Sequence, residues 1–470
     1  MARTTGVPVI VGNSYSKSQN GTISSKNMAL VKFIILIPLL LALFALILHM
    51  SERSSDSVPF LAETGLINEK DFMREVDGIP KLEAMLTKKK PFGRKGDTFE
   101  RSSKRQRPMP VSFENNIHLN LDPTEGERKK LKIAFMVTTS EHPDQIILWM
   151  GYHRAIGVSL FYIFAEGVAG LPESIEQLSK EPGVKVIPRD EELTQKQSTS
   201  RAWNETWLAG FFNKPCNHEL FVKQSLNMEM GIQFAKEDSV DWVLHIDTDE
   251  LIYPSGSESY SLIEVLQEVP DSVDLLIFPN YESLAEHEHV EDPFLEVTLF
   301  KKSYAHVNQK EYFSNYGVIA RGNPNYFTTY GNGKSAARVK EGLRPNGAHR
   351  WHNYLSVPKE WSSEQAAVLH YTYNKFSDLK SRRDRCDCAP TKQDAEKCFI
   401  LDFDRIAFLE ASLKDDDELM DFFKERLVWN EKDVVLDLIH KGVFGRMYEP
   451  QLLIRGVKQA LAKKKNTVNE

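Results

Sequence analysis

From residue 131 onward the sequence predicts an α/β fold, a mostly parallel sheet with helices on both faces. One transmembrane helix precedes it and a helical C-terminal region follows. Three observations carry this reading. Short apolar runs alternate with helical patterns between residues 131 and 280, the signature of βαβ units. One membrane-length apolar stretch stands near the N-terminus. Amphipathic spacing recurs beyond Leu401.

The apolar stretch comes first. From Phe33 to Leu48 every residue is apolar except Pro38, and Met28–Val31 extends the run past Lys32. The total is about 20 residues, enough to cross a bilayer, with Lys32 able to snorkel to the interface. Arg3, Lys17, Lys26 and Lys32 precede or open the span without an acidic residue among them, whereas Glu52, Arg53 and Asp56 follow it. The positive-inside rule puts the short tail in the cytosol and residues 51–470 across the membrane. Ser51-Glu52-Arg53 offers no small-residue pattern for signal-peptide cleavage. Residues 1–27 are therefore read as a cytosolic tail, 28–50 as a signal anchor and 51–130 as a lumenal stem. The stem is rich in Ser, Lys, Arg, Glu and Pro, as in Lys88-Lys89-Lys90-Pro91, and has little apolar periodicity.

The 470 residues are 41% hydrophobic and 27% charged, with a formal net charge of -7. Residues 1–130 are net basic and the remainder is acidic, which argues against a nucleic-acid partner.

In the globular part, strands are expected at Lys132–Thr139, Leu160–Phe164, Val184–Ile187, Trp242–Ile246 and Leu275–Phe278. Helices are expected at Asp144–Ile156 (Pro143 near the first turn), Pro172–Ser179, Glu219–Ala235 and Leu262–Glu268. Asp402–Leu413, Leu419–Trp429 and Val434–His440 read as amphipathic helices of a C-terminal region spanning 401–470, packed on a catalytic domain spanning 131–400.

Trp242–Ile246 is too apolar for a surface element and runs straight into Asp247-Thr248-Asp249-Glu250. Open α/β sheets bind ligands beyond the carboxyl ends of their strands. Two carboxylates two residues apart at such an end can converge on a hard divalent cation, Mn²⁺ or Mg²⁺, that also takes phosphate oxygens. Such a cation would neutralise charge growing on a departing diphosphate.

The segment Trp242–Leu251 resembles the Asp-x-Asp segment of GT-A fold nucleotide-sugar glycosyltransferases, more narrowly their family-2-like and family-92-like groups. Other motifs are similar in the same order. They are Glu141 to Val158 with Trp149, Tyr152-His153 and Gly157-Val158; Lys223, Ser225 and Asn227; Gly333-Lys334-Ser335; and His349-Arg350-Trp351. The similarity spans about residues 131–375, and the layout is most similar to plant KOBITO-like glycosyltransferase-like proteins. The resemblance implies a type II Golgi membrane protein, with the cell membrane as the other location. It further implies a UDP-sugar donor, a glycan or glycoprotein acceptor and inversion at the transferred carbon. Asp247 and Asp249 would hold the cation, with His370 completing its shell. Glu141, Lys223, Asn227, Lys334 and Arg338 would contact the donor, and Asp292 or Glu282 would be the base that takes the acceptor's proton. One departure is plain. The "D-N-x-S-x-D" loop of family-2-like enzymes reads here Ala165-Glu166-Gly167-Val168-Ala169-Gly170, and Ser140 replaces an Asn before Glu141. A catalytically inactive GT-A-like scaffold working with other glycan-synthesis enzymes is the alternative, and a metal-dependent phosphohydrolase using the same acids is a third reading.

Cys216, Cys386, Cys388 and Cys398 allow up to two disulfides in an oxidising lumen, one of them closing a loop to Cys398; zinc is the alternative. Asn204-Glu205-Thr206 is a glycosylation sequon.

Overall fold

The structure, a computed structural model, describes residues 131–385 and 387–469. The expected tail, anchor and stem, and Cys386, lie outside the described residues. Among the described residues no helix is long and apolar enough to cross a membrane.

Seven strands form the first sheet: β1 (Ile133–Thr139), β2 (Leu160–Ala165), β3 (Val184–Pro188), β4 (Trp242–His245), β6 (Leu275–Phe278), β9 (Lys334–Arg338) and β12 (Glu360–Ser362), in the order β12-β6-β9-β4-β1-β2-β3. A second sheet has five strands: β5 (Glu250–Tyr253), β7 (Asn280–Ser283), β8 (Leu299–Lys301), β13 (Ala367–His370) and β14 (Phe444–Arg446), ordered β14-β8-β7-β13-β5. A hairpin pairs β10 (Leu343–Pro345) with β11 (Trp351–Asn353).

The expected mostly parallel sheet is corrected to a mixed one. β4, β1, β2 and β3 run parallel, but β9 is antiparallel to both β4 and β6. The second sheet contains antiparallel pairs and was not expected at all. The helical C-terminal region is corrected in the same way. It carries helices Asp402–Leu413, Asp416–Leu427, Lys432–His440 and Glu449–Asn469, but also β14, which closes the edge of the second sheet.

The first helix, Pro143–Ala155, joins the two sheets. It starts at a proline, whose missing N–H costs nothing there. Its apolar face carries Trp149 and Tyr152 into a core with Phe135 and Phe161. Trp149 Nε1 donates to the Glu250 carbonyl at 2.9 Å, and Tyr152 Oη donates to that of Ile252 at 2.8 Å. The helix therefore fixes β5, and with it the start of the second sheet, against the first. On its outer side, a Cβ on Gly151 would meet Val457 Cγ1 at 2.4 Å, so only glycine admits the C-terminal helix this closely.

Candidate active site

β4 runs parallel to β1, so its carboxyl end opens at the same edge of the sheet as Thr139 and Ala165. The chain leaves β4 at Ile246, turns through Asp247, Thr248 and Asp249, and enters β5 at Glu250. This turn bridges the two sheets and gathers the acids at the edge where such folds bind ligands.

Lys334 lies at the centre of the cluster, fully buried. Its Nζ is 2.6 Å from Asp247 Oδ2 and 3.2 Å from Glu250 Oε2. Gly333 makes this possible. It has φ of 70°, and a Cβ there would lie 2.0 Å from the Phe278 carbonyl oxygen, so only glycine lets the chain drop Lys334 into the core. Gln224 Nε2 donates to Asp247 Oδ1 at 2.9 Å, and the Asp247 amide donates to Glu250 Oε2 at 2.8 Å. Tyr330 Oη donates to Glu250 Oε1. Burial works to raise the Asp247 carboxyl, but the charges of Lys334 and His245 outweigh it and hold the group well below the usual carboxylate range. Burial pushes the Glu250 carboxyl up to about 7, against the pull of Lys334 and aided by Asp247. Two acids thus share one lysine, which favours the less buried of them.

Asp249 differs from both. Its side chain is 54% exposed, and Oδ2 faces His370 Nε2 at 3.5 Å. His370 is buried on β13 beneath the ring of Tyr330, centroids 4.8 Å apart and 26° between planes. Burial lowers the His370 imidazole's affinity for a proton, but Asp249 more than restores it and the net shift is upward. Among Asp247, Asp249, Glu250 and Lys334 the acids outnumber the lysine, an excess that a proton on Glu250 or His370, or a cation, offsets. An exposed carboxylate facing an imidazole nitrogen is a donor set suited to Mn²⁺ or Mg²⁺.

Behind His370 the second sheet carries one transverse row of charged groups. Lys301 on β8 is opposite Glu282 on β7, Glu282 is opposite His370 on β13, and His370 is opposite Glu250 on β5. Lys301 Nζ and Glu282 Oε1 are 3.0 Å apart, both buried. The Thr328 amide donates to Oε1, and the Thr329 amide and hydroxyl both donate to Oε2, each at 3.0 Å. Burial raises the Glu282 carboxyl, but Lys301 and these donors outweigh it and lower it overall. Its oxygens are saturated, and the chain assigns it to holding the 328–330 turn rather than to meeting an acceptor.

The remaining residues singled out in the sequence divide by position. Glu141 is exposed just beyond the end of β1. Lys223 pairs with Glu166 at 3.5 Å and Glu219 at 2.9 Å, and Arg189 also reaches Glu166 at 3.1 Å, so ion pairs line the edge beyond β2 and β3. Asn227 is buried, donating to Thr138 Oγ1 at 2.9 Å and accepting from Gln197 at 2.7 Å; it fastens its helix to β1. Lys334 is too deep to reach a donor and neutralises carboxylates instead. Arg338 is not brought to the site. It sits at the other end of β9, with its guanidinium over the Trp242 ring and bonded to the carbonyls of Val273 and Val269. Four residues of strand separate it from Lys334 by about 13 Å. Asp292 pairs with Lys458 of the C-terminal helix at 2.6 Å. Asn204 is exposed. Cys388 and Cys398 form a disulfide, with Cys216 Sγ 3.6 Å from Cys388 Sγ.

Glu250, Gln224, Thr329, Tyr330 and Lys301 were not singled out. Glu250 had a visible signal as the third acid of its run. The others come together only through strand register and the fold of the 328–334 turn.

In an α/β scaffold, an acidic turn at the carboxyl end of a buried strand lies where such folds hold ligands, and two relatives show the family. The chain is 51% identical over 331 residues to the Arabidopsis thaliana protein "Glycosyltransferase-like At2g41451", covering 70% of this chain and 73% of that one. It is 52% identical over 331 residues to "Glycosyltransferase-like At3g57200" of the same plant, covering 70% of this chain and 64% of that one. The chain belongs to this glycosyltransferase-like family. No protein-family model matches it. Among solved structures, glucosyl-3-phosphoglycerate synthase from Mycobacterium tuberculosis aligns over 44% of this chain and 57% of that one, at 8% identity and a TM-score of 0.20. A mycobacterial protein aligns over 55% and 75%, at 9% identity and a TM-score of 0.23. Scores this low leave the fold to be judged from its own strand order.

Proposed function

We propose that this chain is a GT-A type glycosyltransferase that moves a sugar from a nucleoside-diphosphate sugar, a UDP-sugar, to a glycan or glycoprotein acceptor with inversion. The observation that carries the proposal is the facing pair Asp249 and His370 at the carboxyl edge of the sheet, inside a cluster whose acids outnumber its lysine. Asp249 and His370 would hold Mn²⁺ or Mg²⁺, with Asp247 at the same turn. When bound, the cation supplies neutralisation of the diphosphate leaving group. The chain's own residues do the rest. Lys334 keeps Asp247 ionised and fixed, Tyr330 covers His370, and Glu141 just beyond β1 and Lys223 in the second turn of the helix Asn217–Glu237 would meet the nucleoside side of the donor. The 28–50 segment would anchor the chain in the Golgi membrane with the catalytic domain lumenal, and an exposed Asn204 sequon suits that orientation.

One observation favours the alternative of a non-catalytic scaffold. Both acids offered as the base are engaged, Glu282 by Lys301 and Asp292 by Lys458. The test is full-length protein incubated with a panel of nucleoside-diphosphate sugars and Mn²⁺, with released nucleoside diphosphate measured. Turnover of one UDP-sugar, lost on chelation and in Asp249→Asn, is expected. Well-folded protein that releases nothing from any sugar, with glycan acceptors present, would leave the scaffold. For the topology, a glycosidase-sensitive mass shift in cells, absent in Asn204→Gln, is expected.

A further inference from the structure

We propose that Glu282 and Thr329 form a positioning pair that sets the tautomer of His370 and turns its Nε2 lone pair toward the cation beside Asp249. The inference rests on the cation site proposed above and adds to it how this chain orients one of its ligands.

The argument follows the hydrogens. Glu282, paired with Lys301 at 3.0 Å and taking two backbone amides, is a carboxylate, and a carboxylate only accepts. The Thr329 hydroxyl therefore commits its single hydrogen to Glu282 Oε2, 3.0 Å away. Its lone pairs remain, and one faces His370 Nδ1 at 3.1 Å. Nδ1 must then carry hydrogen and donate to Thr329 Oγ1. In the neutral imidazole this leaves the lone pair on Nε2, the nitrogen that points at Asp249 Oδ2. A lone pair facing a carboxylate at 3.5 Å needs something positive between them; in the metal-free chain a proton on Nε2 fills that place, and a bound cation would replace it.

Strand register makes the arrangement rigid. Lys301, Glu282 and His370 occupy facing positions on β8, β7 and β13. Thr329 enters from the 328–330 turn, pinned by its own amide, and the Tyr330 ring lies against the imidazole. Partners behind a metal-bound histidine fix its tautomer and aim, and losing one typically weakens metal binding by about 10- to 100-fold. Thr329 and Glu282 touch neither substrate nor reacting atoms and act through His370.

The test uses full-length protein and Mn²⁺ alone, with free Mn²⁺ counted by electron paramagnetic resonance. Thr329→Val keeps the shape and removes the hydroxyl; Thr329→Ser keeps the hydroxyl. We expect Thr329→Val to bind Mn²⁺ at least about 10-fold more weakly, and Thr329→Ser to bind like the wild type. In a His370→Gln background Thr329→Val should have no further effect. Ring-¹⁵N histidine spectra of the metal-free chain, with His370→Gln identifying the signal, should show hydrogen on Nδ1 in the wild type and a changed tautomer balance in Thr329→Val. Unchanged Mn²⁺ affinity in Thr329→Val, an equal loss in the His370→Gln background, or hydrogen absent from Nδ1 in the wild type would each overturn the inference. A wild type that keeps the Nδ1 hydrogen but binds no Mn²⁺ would overturn the cation site and, with it, the positioning role.

Discussion

Each sheet buries one lysine against carboxylates, and the two arrangements are unlike. On the second sheet Lys301 meets Glu282 alone, and the carboxylate is further held by the Thr328 amide and by the amide and hydroxyl of Thr329. Charge there is balanced. At the edge of the first sheet Lys334 is shared by Asp247 and Glu250, with Asp249 close by. Negative charge there is in excess, and it shows as opposite shifts. The Asp247 carboxyl is pulled down, while burial drives the Glu250 carboxyl up to about 7. A balanced buried pair is a brace; an unbalanced one is a place that wants a proton or a cation.

The same substitution, Glu to Gln, should break the two regions very differently. Glu282→Gln strands Lys301 in the interior and should destabilise the protein by about 3–5 kcal/mol in urea unfolding. Adding Lys301→Met should recover most of that loss. A small effect of Glu282→Gln alone would mean that the pair is not a brace.

The acid side of the stability curve sharpens the contrast, because the contributing groups differ in the sign and the onset of their pH dependence. Glu282 has a depressed folded value, so its contribution is whole above the unfolded value of 4.5 and is lost only below it. His153 is fully buried, its imidazole lowered from 6.5 to about 3 by burial. Its Nδ1 lies 3.0 Å from the Trp149 carbonyl, and its Nε2 accepts from the Ile252 amide at 3.3 Å, which only the neutral ring can do. The unfolded chain binds the extra proton first, so stability from His153 is present above pH 6.5 and falls as pH drops toward 3. The slope is at most about 1.4 kcal/mol per pH unit. The loss of stability between pH 6.5 and 4.5 should therefore become shallower in His153→Gln without vanishing, since burial also lowers His245 and His349, read from urea midpoints across that range. A slope unchanged by the substitution would assign the loss to another group.

Glu250→Gln should have the smallest effect, within about 1 kcal/mol at pH 7, since the amide oxygen can take the place of Oε2 and accept from the Asp247 N–H and Lys334, while its NH2 donates to the Tyr330 hydroxyl oxygen. Its pH signature runs opposite to that of His153. A raised carboxyl makes the folded state the better proton binder, so wild-type stability from this group declines as pH rises from 4.5 toward 7. The substitution should remove that decline and favour the variant slightly at pH 8. A loss as large as that of Glu282→Gln would erase the distinction between the two regions.

These two regions were not equally legible in the sequence. β1, β2, β3, β4 and β6 and the helices Pro143–Ala155, Pro172–Ser179, Asn217–Glu237 and Leu262–Gln267 were readable because each is a local apolar run or a helical period, and their limits agree to within two residues; the polar helix Glu191–Ser198 was not expected. The acidic turn was readable for the same reason, since Trp242–Ile246 feeds directly into it. The second sheet was not. Its strands are three or four residues long, too short for a pattern, and their partners lie as far apart as Glu250 and His370. The row from Lys301 to Glu250 exists only as register. Arg338 shows the opposite error. Lys334 and Arg338, four residues apart, were both expected at the donor; once 334–338 is a strand, they stand at its two ends.

The central claim, that Asp249 and His370 hold a divalent cation for a nucleotide donor, is tested most directly by calorimetric titration of UDP into the full-length protein with and without Mn²⁺, beside Asp249→Asn. The account predicts binding that needs Mn²⁺ and weakens at least about 10-fold in the variant, equivalent to 1.4 kcal/mol. UDP binding that persists in chelator and is indifferent to Asp249→Asn would contradict it.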